Sequence, residues 1–477
     1  MKNKTYYIML CCLYFLVNAC TTNFEETNTD PNNLSQVTAG STLNPIIYGI
    51  AVRNANQLRN LGAPIMQMFL RTDSYVNAPY LYDFTQDVGA STWNDYYKWL
   101  NNIQEMEKAA VRDEMPNYQA IALTLKAYAF SMLTDCFGDI PMEEALQAEG
   151  GEWYPKYTPQ QEIYTQILAD LEQANDLYDS SRGMIYVDDI LFHNDVKKWQ
   201  KFTNSLHLRL LLRISNKEET NAFQSITTII NNPEKYPVFT SNDDEAVLQI
   251  SGVAPLLSPW DRPQDFGTFR NYSKFFIDHL NKFNDPRRAK FASVARGLND
   301  EDYGYIGQPI DFINTPLPDS IATASGVLNS LAEEPIIIPI MSYAEVEFIK
   351  AEMALRGYIN DAEMHYENGV KAAIEMWSLE VPENYFDNQY TKYNGTLSQI
   401  MLQKYYSFFF TDYQAWFEER RTGLPELPKS SSMLNNQEIP ARLYYPVDAA
   451  DRNHTNYQEA VDRMGGDEIN VKVWWQK

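Results

Sequence analysis

The chain has 477 residues, and its 39 basic and 63 acidic residues give a net charge of −24. So large an acidic excess argues against nucleic acid as a partner and against adhesion to anionic lipid headgroups, because both depend on clustered Lys and Arg. The 32 tyrosines and nine tryptophans fit recognition of neutral polar ligands or an aromatic-rich core, and composition does not separate the two.

The N-terminus has the pattern of a signal peptide. Lys2 and Lys4 precede twelve uncharged, mostly apolar residues, 6–17, which as a helix would reach about 18 Å against a hydrocarbon core of roughly 30 Å. This length predicts a signal peptide over residues 1–19 rather than a membrane span. The phrase Leu16-Val17-Asn18-Ala19-Cys20 resembles the lipobox of bacterial lipoproteins, which implies lipidation of Cys20 and cleavage just before it. The alternative is an ordinary secretory leader with an unmodified cysteine.

Cysteine usage excludes a disulfide framework. Cys11 and Cys12 fall in the leader, so the mature chain keeps Cys136 besides the acylated Cys20. A chain without a cysteine pair must be stabilised by its core, and this one is long enough to bury a large core.

Helical periodicity dominates beyond residues 20–40, which are predicted to form the lipidated N-terminus and a polar tether. Three later segments have apolar residues at helical spacing, namely 118–133, 159–178 and 199–214. Residues 348–376 add small residues at facing positions on either side of Gly357. This pattern is typical of a tetratricopeptide helical hairpin, with a generic helical hairpin as the alternative.

Two stretches lack this periodicity. Residues 237–340 are rich in Pro, Gly, Asn and Asp, and predict one helix at 272–283 and short strands at 247–250 and 336–339. Residues 72–98 have the same irregular character and carry several aromatic residues. Long irregular stretches inside a domain are usually functional. The predicted fold is therefore mainly α, with long irregular stretches and a few short strands, in one domain over 41–477.

Short phrases along the whole chain carry a resemblance to a known family. In chain order they are Phe24-Glu25-Glu26 with Asn28-Thr29-Asp30-Pro31, Thr134-Asp135 with Gly138-Asp139-Ile140-Pro141, Trp199-Gln200-Lys201-Phe202, Glu347 with Ala351-Glu352, and Trp416 with Arg420-Arg421-Thr422-Gly423. In this order they resemble the SusD/RagB family of nutrient-binding outer-membrane lipoproteins, specifically its SusD-like subgroup.

The resemblance implies a mainly α fold, a tetratricopeptide-like hairpin scaffold with long irregular loop insertions that form a ligand site. It implies an outer-membrane lipoprotein, exposed on the cell surface, that captures a glycan, or a peptide in some members. It also implies a SusC-type TonB-dependent transporter as the partner that receives the ligand. Glu25 and Glu26 resemble the acidic surface-export signal of such lipoproteins.

The sequence carries no catalytic or cofactor signature, since G-x-S-x-G, P-loop and H-E-x-x-H motifs are absent and the five histidines lack metal-ligand spacing. We therefore predict a binder that is not an enzyme and uses no cofactor or metal. The alternative of a lipid-anchored glycan-degrading enzyme remains, because the 63 carboxylates could include a glycosidase pair. A purely structural surface subunit is the third hypothesis. Residues 243–245 and 300–302 are either calcium-binding carboxylates or solvated acidic turns.

Aromatic side chains on irregular segments are the candidate ligand platforms. A flat ring covers the apolar face of a sugar while neighbouring polar groups bind its hydroxyls. Burying about 80 Å² at roughly 25 cal/mol/Å² gives about 2 kcal/mol, so capture needs at least two platforms.

Trp260 is the first candidate platform. Pro259 and Pro263 limit its backbone to extended or turn conformations, which predicts an exposed indole beside the charged Asp261 and Arg262. The further candidates are Tyr75, Tyr80 and Trp93. Three other features are predicted to be structural: Trp199 and Trp416 as core residues, and Arg420-Arg421-Thr422-Gly423 as a helix end whose arginines meet carboxylates.

Overall fold

The computed structural model describes residues 37–73, 76–186, 188–260 and 262–477. The unit Ala39–Lys477 is mainly helical. Its helices are α1 (Ala39–Gln57), α2 (Ala63–Ile65), α3 (Ala90–Arg112), α4 (Pro116–Phe137), α5 (Gln160–Leu177), α6 (Val196–Arg213), α7 (Ala222–Asn231), α8 (Pro263–Gly267), α9 (Lys274–Phe283), α10 (Arg287–Phe291), α11 (Tyr343–Leu355), α12 (Ala362–Glu375), α13 (Leu397–Ser407), α14 (Gln414–Thr422), α15 (Val447–Arg452) and α16 (His454–Met464).

The strands are short and form two-stranded antiparallel ribbons. They are β1 (Phe69–Arg71), β2 (Ile140–Pro141), β3 (Tyr157–Thr158), β4 (Ala246–Ile250), β5 (Arg270–Tyr272), β6 (Arg296–Gly297), β7 (Ile321–Thr323) and β8 (Ile336–Met341).

Neighbouring helices in the chain pack side by side. Contacts join α1 to α3, α3 to α4, α4 to α5 and α5 to α6. The three helices predicted from apolar spacing are confirmed as α4, α5 and α6. Pro116 opens α4 at its first turn, where the missing N–H costs no hydrogen bond.

Helix α4 lies in the middle of this bundle. Within the described ranges it is the one helix with the length and hydropathy of a membrane span, yet 94% of its most apolar window is buried inside the protein. It is a core helix, and its burial explains why apolar residues surround its whole circumference.

The predicted tetratricopeptide-like hairpin is confirmed as α11 and α12. Gly357 makes the turn with φ +83°, a conformation that side-chain-bearing residues rarely adopt. At Gly369 a Cβ atom would lie 3.0 Å from the Phe348 ring, so the glycine allows the two helices to approach closely. Tyr366 is fully buried against Phe348, and its hydroxyl donates to the Thr391 carbonyl at 2.8 Å.

A buried ionic network ties this hairpin to α14. The Arg421 guanidinium donates to Glu352 Oε1 and Oε2 at 3.0 and 2.6 Å and to Glu418 Oε2 at 2.8 Å. Lys404 donates to the same Glu418 oxygen at 2.7 Å. Because α14 ends at Thr422 and Gly423 follows with φ +72°, the prediction of a helix end whose arginine meets carboxylates is confirmed for Arg421.

Arg420, the neighbouring arginine, is held differently. Its guanidinium lies 4.6 Å from the ring centroids of both Trp416 and Trp475, and it donates to the Asp135 carbonyl at 2.7 Å. Trp416 and Trp199 are fully buried, which confirms both as core residues.

The loop-rich region 237–340 contains the predicted elements. The two predicted strands are confirmed as β4 and β8, which pair with each other in antiparallel register, Leu248 opposite Ile338. The predicted helix at 272–283 is confirmed as α9.

The prediction of irregular structure across 72–98 is wrong from residue 90 onward, because α3 begins at Ala90. Trp93, Tyr96 and Leu100 are three and four residues apart and all point into the core. This is the periodicity of a helix, and the aromatic character of the segment obscured it.

Glu245, just before β4, gives a pH-dependent prediction. Its carboxylate accepts the Tyr343 N–H at 3.1 Å, and burial raises the pKa of Glu245 to about 8. An unfolded glutamate titrates near pH 4.3, so the folded state holds an extra proton between these values, and stability falls as pH rises through that window. We expect Glu245→Gln to remove this fall and to raise the free energy of unfolding by roughly 1–3 kcal/mol at pH 9. This is less than the difference between the folded and unfolded pKa values implies, because Glu245 is partly exposed. Urea denaturation of both proteins from pH 5 to pH 9 checks this; parallel stability curves would contradict it.

Candidate ligand-binding site

Two of the irregular segments meet on one face of the protein. Strand β1 pairs with β5, with Phe69 opposite Tyr272 and Arg71 opposite Arg270. The Thr72 N–H donates to the Phe269 carbonyl at 2.9 Å. The ribbon therefore places the chain after β1 beside residues 262–269.

Two further loops cover the same face. The Gln67 side chain donates to the Pro428 carbonyl at 2.9 Å, and the Leu434 N–H donates to the Leu81 carbonyl at 2.8 Å. Tyr80 stacks on Phe312 with 6.3 Å between ring centroids. We call the surface formed by residues 67–73, 76–82, 262–282, 303–315 and 428–434 the loop face.

A cavity of about 520 Å³ opens on the loop face. Its lining combines apolar groups with lysines, carboxylates and hydroxyls: Gln67, Ser273, Lys274, Phe275, Asp278, His279, Lys282, Pro309, Ile310, Asp311, Thr315, Pro428, Lys429, Ser430 and Ser431. An apolar cavity wall with a few convergent polar groups is the usual form of a small-ligand site.

Local structure fixes the polar groups of this cavity. The Ser273 hydroxyl accepts the Phe276 N–H at 3.0 Å and caps α9, so Lys274 and Asp278 lie on the first turns of that helix, 2.6 Å apart. Asp311 accepts the Ser432 hydroxyl at 2.6 Å, which joins two of the loops and lowers the pKa of Asp311.

His279 shares this wall with Phe275. The two rings lie 4.5 Å apart, and burial lowers the pKa of His279 below its usual value. The imidazole is therefore neutral at pH 7 and offers the cavity a polar but uncharged edge. Neutral rings beside hydroxyls and carboxylates suit a ligand rich in hydroxyl groups.

Phe269 supplies an exposed ring on the loop face. Its side chain is 61% exposed, and its backbone has φ +57°, in the left-handed region that costs a bulky residue energy. The bond from Thr72 holds it there. Sequence reasoning missed Phe269, although its position directly after Gly267-Thr268 in the loop-rich region was a usable signal.

The prediction that the Trp260 indole is exposed is wrong. Trp260 is 7% exposed, and its ring lies 4.6 Å from the Phe266 centroid and 6.4 Å from that of Phe410. The flanking prolines do restrict the backbone, but they turn the indole into the core, where it cannot serve as a surface platform. Arg262 is exposed and paired with Asp265 at 2.6 Å. Asp261 lies outside the described residues.

The remaining predicted platforms are separated. Tyr80 belongs to the loop face but is fully buried, so its prediction as a surface platform is wrong, because Phe312 covers the ring. Tyr75 lies outside the described residues. Trp93, 9% exposed, lines a different cavity of about 280 Å³ with Tyr97 and Tyr157, which we call the aromatic cavity.

The predicted acidic segments have partners within the protein. Asp244 accepts from Lys201 at 2.6 Å and from the Thr240 hydroxyl at 2.7 Å, and Glu301 accepts from Asn299 at 3.0 Å. Across the described ranges, three His, Cys, Asp or Glu side chains nowhere converge as a metal site.

Comparisons with known proteins show which family and which solved structures this chain is similar to. The profile of a SusD-like family, described as starch-binding and associating with the outer membrane, matches residues 31–446. A solved chitin-binding protein is 26% identical with a TM-score of 0.78, covering 92% of this chain and 99% of its own. Two SusD homologues from Bacteroides fragilis are each 25% identical, with TM-scores of 0.80 and 0.77, covering 92% and 93% of this chain and all of their own.

A comparison with curated protein sequences finds no match. The family profile nevertheless spans most of the chain, and the solved homologues share its helical scaffold along nearly their full lengths. The chain therefore belongs to the SusD-like family of proteins that associate with the outer membrane.

Proposed function

We propose that this protein is a cell-surface lipoprotein that captures an oligosaccharide on its loop face and delivers it, uncleaved, to a SusC-type TonB-dependent transporter. The observation that carries the proposal is the family match over residues 31–446, whose description names starch binding and the outer membrane. The likeness to a chitin-binding protein at 26% identity supports a saccharide as the ligand.

The geometry of the loop face supports a binding role. Its loops stand on a scaffold of packed helices, and bonds such as Ser432 to Asp311 hold them in place before any ligand arrives. A preorganised surface loses less conformational entropy on binding, which favours affinity. The cavity offers Phe275 for the apolar face of a sugar, and Lys274 and Asp311 for its hydroxyls.

The N-terminal segment supports membrane attachment. Cys20, Glu25 and Glu26 lie outside the described residues, so the lipid anchor and the surface-export signal rest on the sequence. Each buried CH₂ of an acyl chain contributes about 0.8 kcal/mol, and several chains on one cysteine give stable attachment.

We expect Cys20→Ala to abolish incorporation of labelled palmitate and to leave an uncleaved or soluble protein, because the thiol is the acceptor of the lipid. Cys12→Ala is the matched control, since Cys12 lies in the predicted leader and should leave labelling intact. Persistent label in the Cys20 variant would contradict the lipid anchor. Digestion of the wild-type protein by protease on intact cells tests surface exposure, and protection would place it on the periplasmic side.

A glycan panel tests the binding function. The purified mature protein is incubated with immobilised and soluble oligosaccharides, and the soluble fraction is then analysed by chromatography. Retention with every glycan recovered at its original length is the expected result. Shortened products would establish a lipid-anchored glycan-degrading enzyme instead. Binding of peptides alone would make it a peptide-binding member of the family, and no binding at all would leave a structural subunit.

A further inference from the structure

One edge of the loop face concentrates positive charge. Arg71 and Arg270 lie directly opposite each other across the β1–β5 ribbon, an arrangement of like charges that normally destabilises a strand pair. Arg59 donates to the Phe266 carbonyl at 3.2 Å and also to the Asp265 carbonyl, which brings a third guanidinium to the same turn. This happens in a chain whose net charge is −24.

Carboxylates neutralise only part of this charge. Arg71 donates to both oxygens of Asp73, at 2.5 and 2.9 Å. In the part of the chain that the structure describes, Arg59 and Arg270 form no ion pair, and Arg270 donates only to the Thr268 carbonyl, at 3.0 Å. The fully buried Arg287, by contrast, is matched by Asp285 at 2.7 Å.

The electrostatics agree with this geometry. Burial, together with the charges of Arg59 and Arg71, lowers the pKa of Arg270 to about 10. The guanidinium remains protonated at neutral pH, but its charge is held at an energetic cost. An anion placed against Arg270 would remove that cost, because it would restore a neutral pair.

An exposed ring adjoins these cations. Phe269 immediately precedes Arg270, is 61% exposed, and is held in a left-handed backbone conformation. A flat apolar surface beside a cation fits a sugar ring that carries an acidic group on its edge. An acidic peptide would use the arginines but has no general need of the ring.

We propose that this edge binds the carboxylate or sulfate group of an acidic oligosaccharide, with Arg270 as the main donor, Arg71 as the second and Phe269 packed on the sugar ring. The proposal rests on the proposed function and names the ligand class for the loop face. A planar guanidinium can give two parallel N–H···O bonds to either anion, which a lysine cannot.

Calorimetric titration of the mature protein with paired probes, an acidic and a neutral form of the same saccharide, tests the proposal. Oligogalacturonides are compared with their methyl esters, and sulfated with desulfated glucan oligosaccharides, so that carboxylate and sulfate are distinguished. We expect one acidic probe to bind about tenfold or more tightly than its neutral counterpart, and to weaken as salt rises.

Single substitutions locate the effect. Arg270→Gln should weaken the acidic probe about tenfold to a hundredfold and leave neutral probes unchanged, and Arg71→Gln should have a smaller effect in the same direction. Arg182→Gln is the control, because Arg182 is exposed and pairs with Asp179 elsewhere on the surface. Thermal melting of each variant shows whether it is folded. If Arg270→Gln does not fold, weaker binding of the acidic probe by Arg71→Gln is the test of the proposal.

Three outcomes would overturn the proposal. Equal binding of acidic and neutral probes would do so while leaving saccharide capture intact. If a polyglutamate peptide binds and no saccharide probe does, the ligand of this edge is an acidic peptide. Absence of binding to every one of these probes would overturn this proposal alone, because the glycan panel tests saccharide capture separately.

Discussion

Replacing Arg421 with glutamine should lower the free energy of unfolding by about 2–4 kcal/mol. The substitution leaves Glu352 and Glu418 buried, and each carboxylate loses one of its charged donors. Lys404 still donates to Glu418 at 2.7 Å, and Arg356 still donates to Glu352 Oε1 at 2.9 Å. The penalty therefore falls mainly on Glu352 Oε2, which loses its bond to Arg421. Because Glu352 belongs to α11 and Glu418 to α14, the change loosens the contact between the hairpin and the rest of the core. Urea denaturation followed by circular dichroism measures the loss.

Arg452→Gln is the matched control for this substitution. Arg452 also pairs with a carboxylate, Asp448 at 3.3 Å, but both side chains are exposed, and such pairs contribute about 0–1 kcal/mol. A loss below about 1 kcal/mol in Arg421→Gln, no larger than in the control, would show that the buried network does not stabilise the fold.

Replacing Trp260 with alanine should destabilise the protein by about 3–5 kcal/mol. The indole fills space between Phe266 and Phe410, and its removal leaves a cavity that the surrounding rings cannot fully close. Trp260→Phe should cost less, because much of the buried volume is kept. The midpoint of thermal unfolding should be highest for the wild-type protein, lower for Trp260→Phe and lowest for Trp260→Ala.

Trp153→Ala is the control for Trp260→Ala. Its indole is 69% exposed, and a change there should alter stability by no more than about 0.5 kcal/mol. If Trp260→Ala unfolds at the temperature of the wild-type protein, the indole is a surface group and its burial in the core is refuted.

Elements with their own periodicity could be predicted from sequence. Helices α4, α5 and α6 follow from apolar spacing because each buries one or more faces against its neighbours in the chain. The α11–α12 hairpin follows from small residues around Gly357, since close helix packing requires them. These are local rules, and they hold whatever the rest of the chain does.

Features that depend on distant contacts could not be predicted in this way. Pro259 and Pro263 restrict the Trp260 backbone, but the side chain is buried because Phe410, far along the chain, packs on it. Phe269 and Arg270 become part of the candidate site only through pairing with β1. No local pattern encodes which loops will meet, so the sequence indicated segments of the loop face but did not show that the Trp260 and Tyr80 rings are buried.

The claim that the loop face is the binding site is tested most directly by one pair of variants against the same glycan panel. Phe269→Ala removes an exposed ring of the loop face, and Trp153→Ala removes an exposed ring near Pro155, which lines the aromatic cavity. Loss of apolar burial predicts binding about five- to thirty-fold weaker in Phe269→Ala, with thermal stability and Trp153→Ala binding unchanged. Full binding by Phe269→Ala together with loss in Trp153→Ala would place the ligand beside Trp153, away from the loop face, and contradict the assignment.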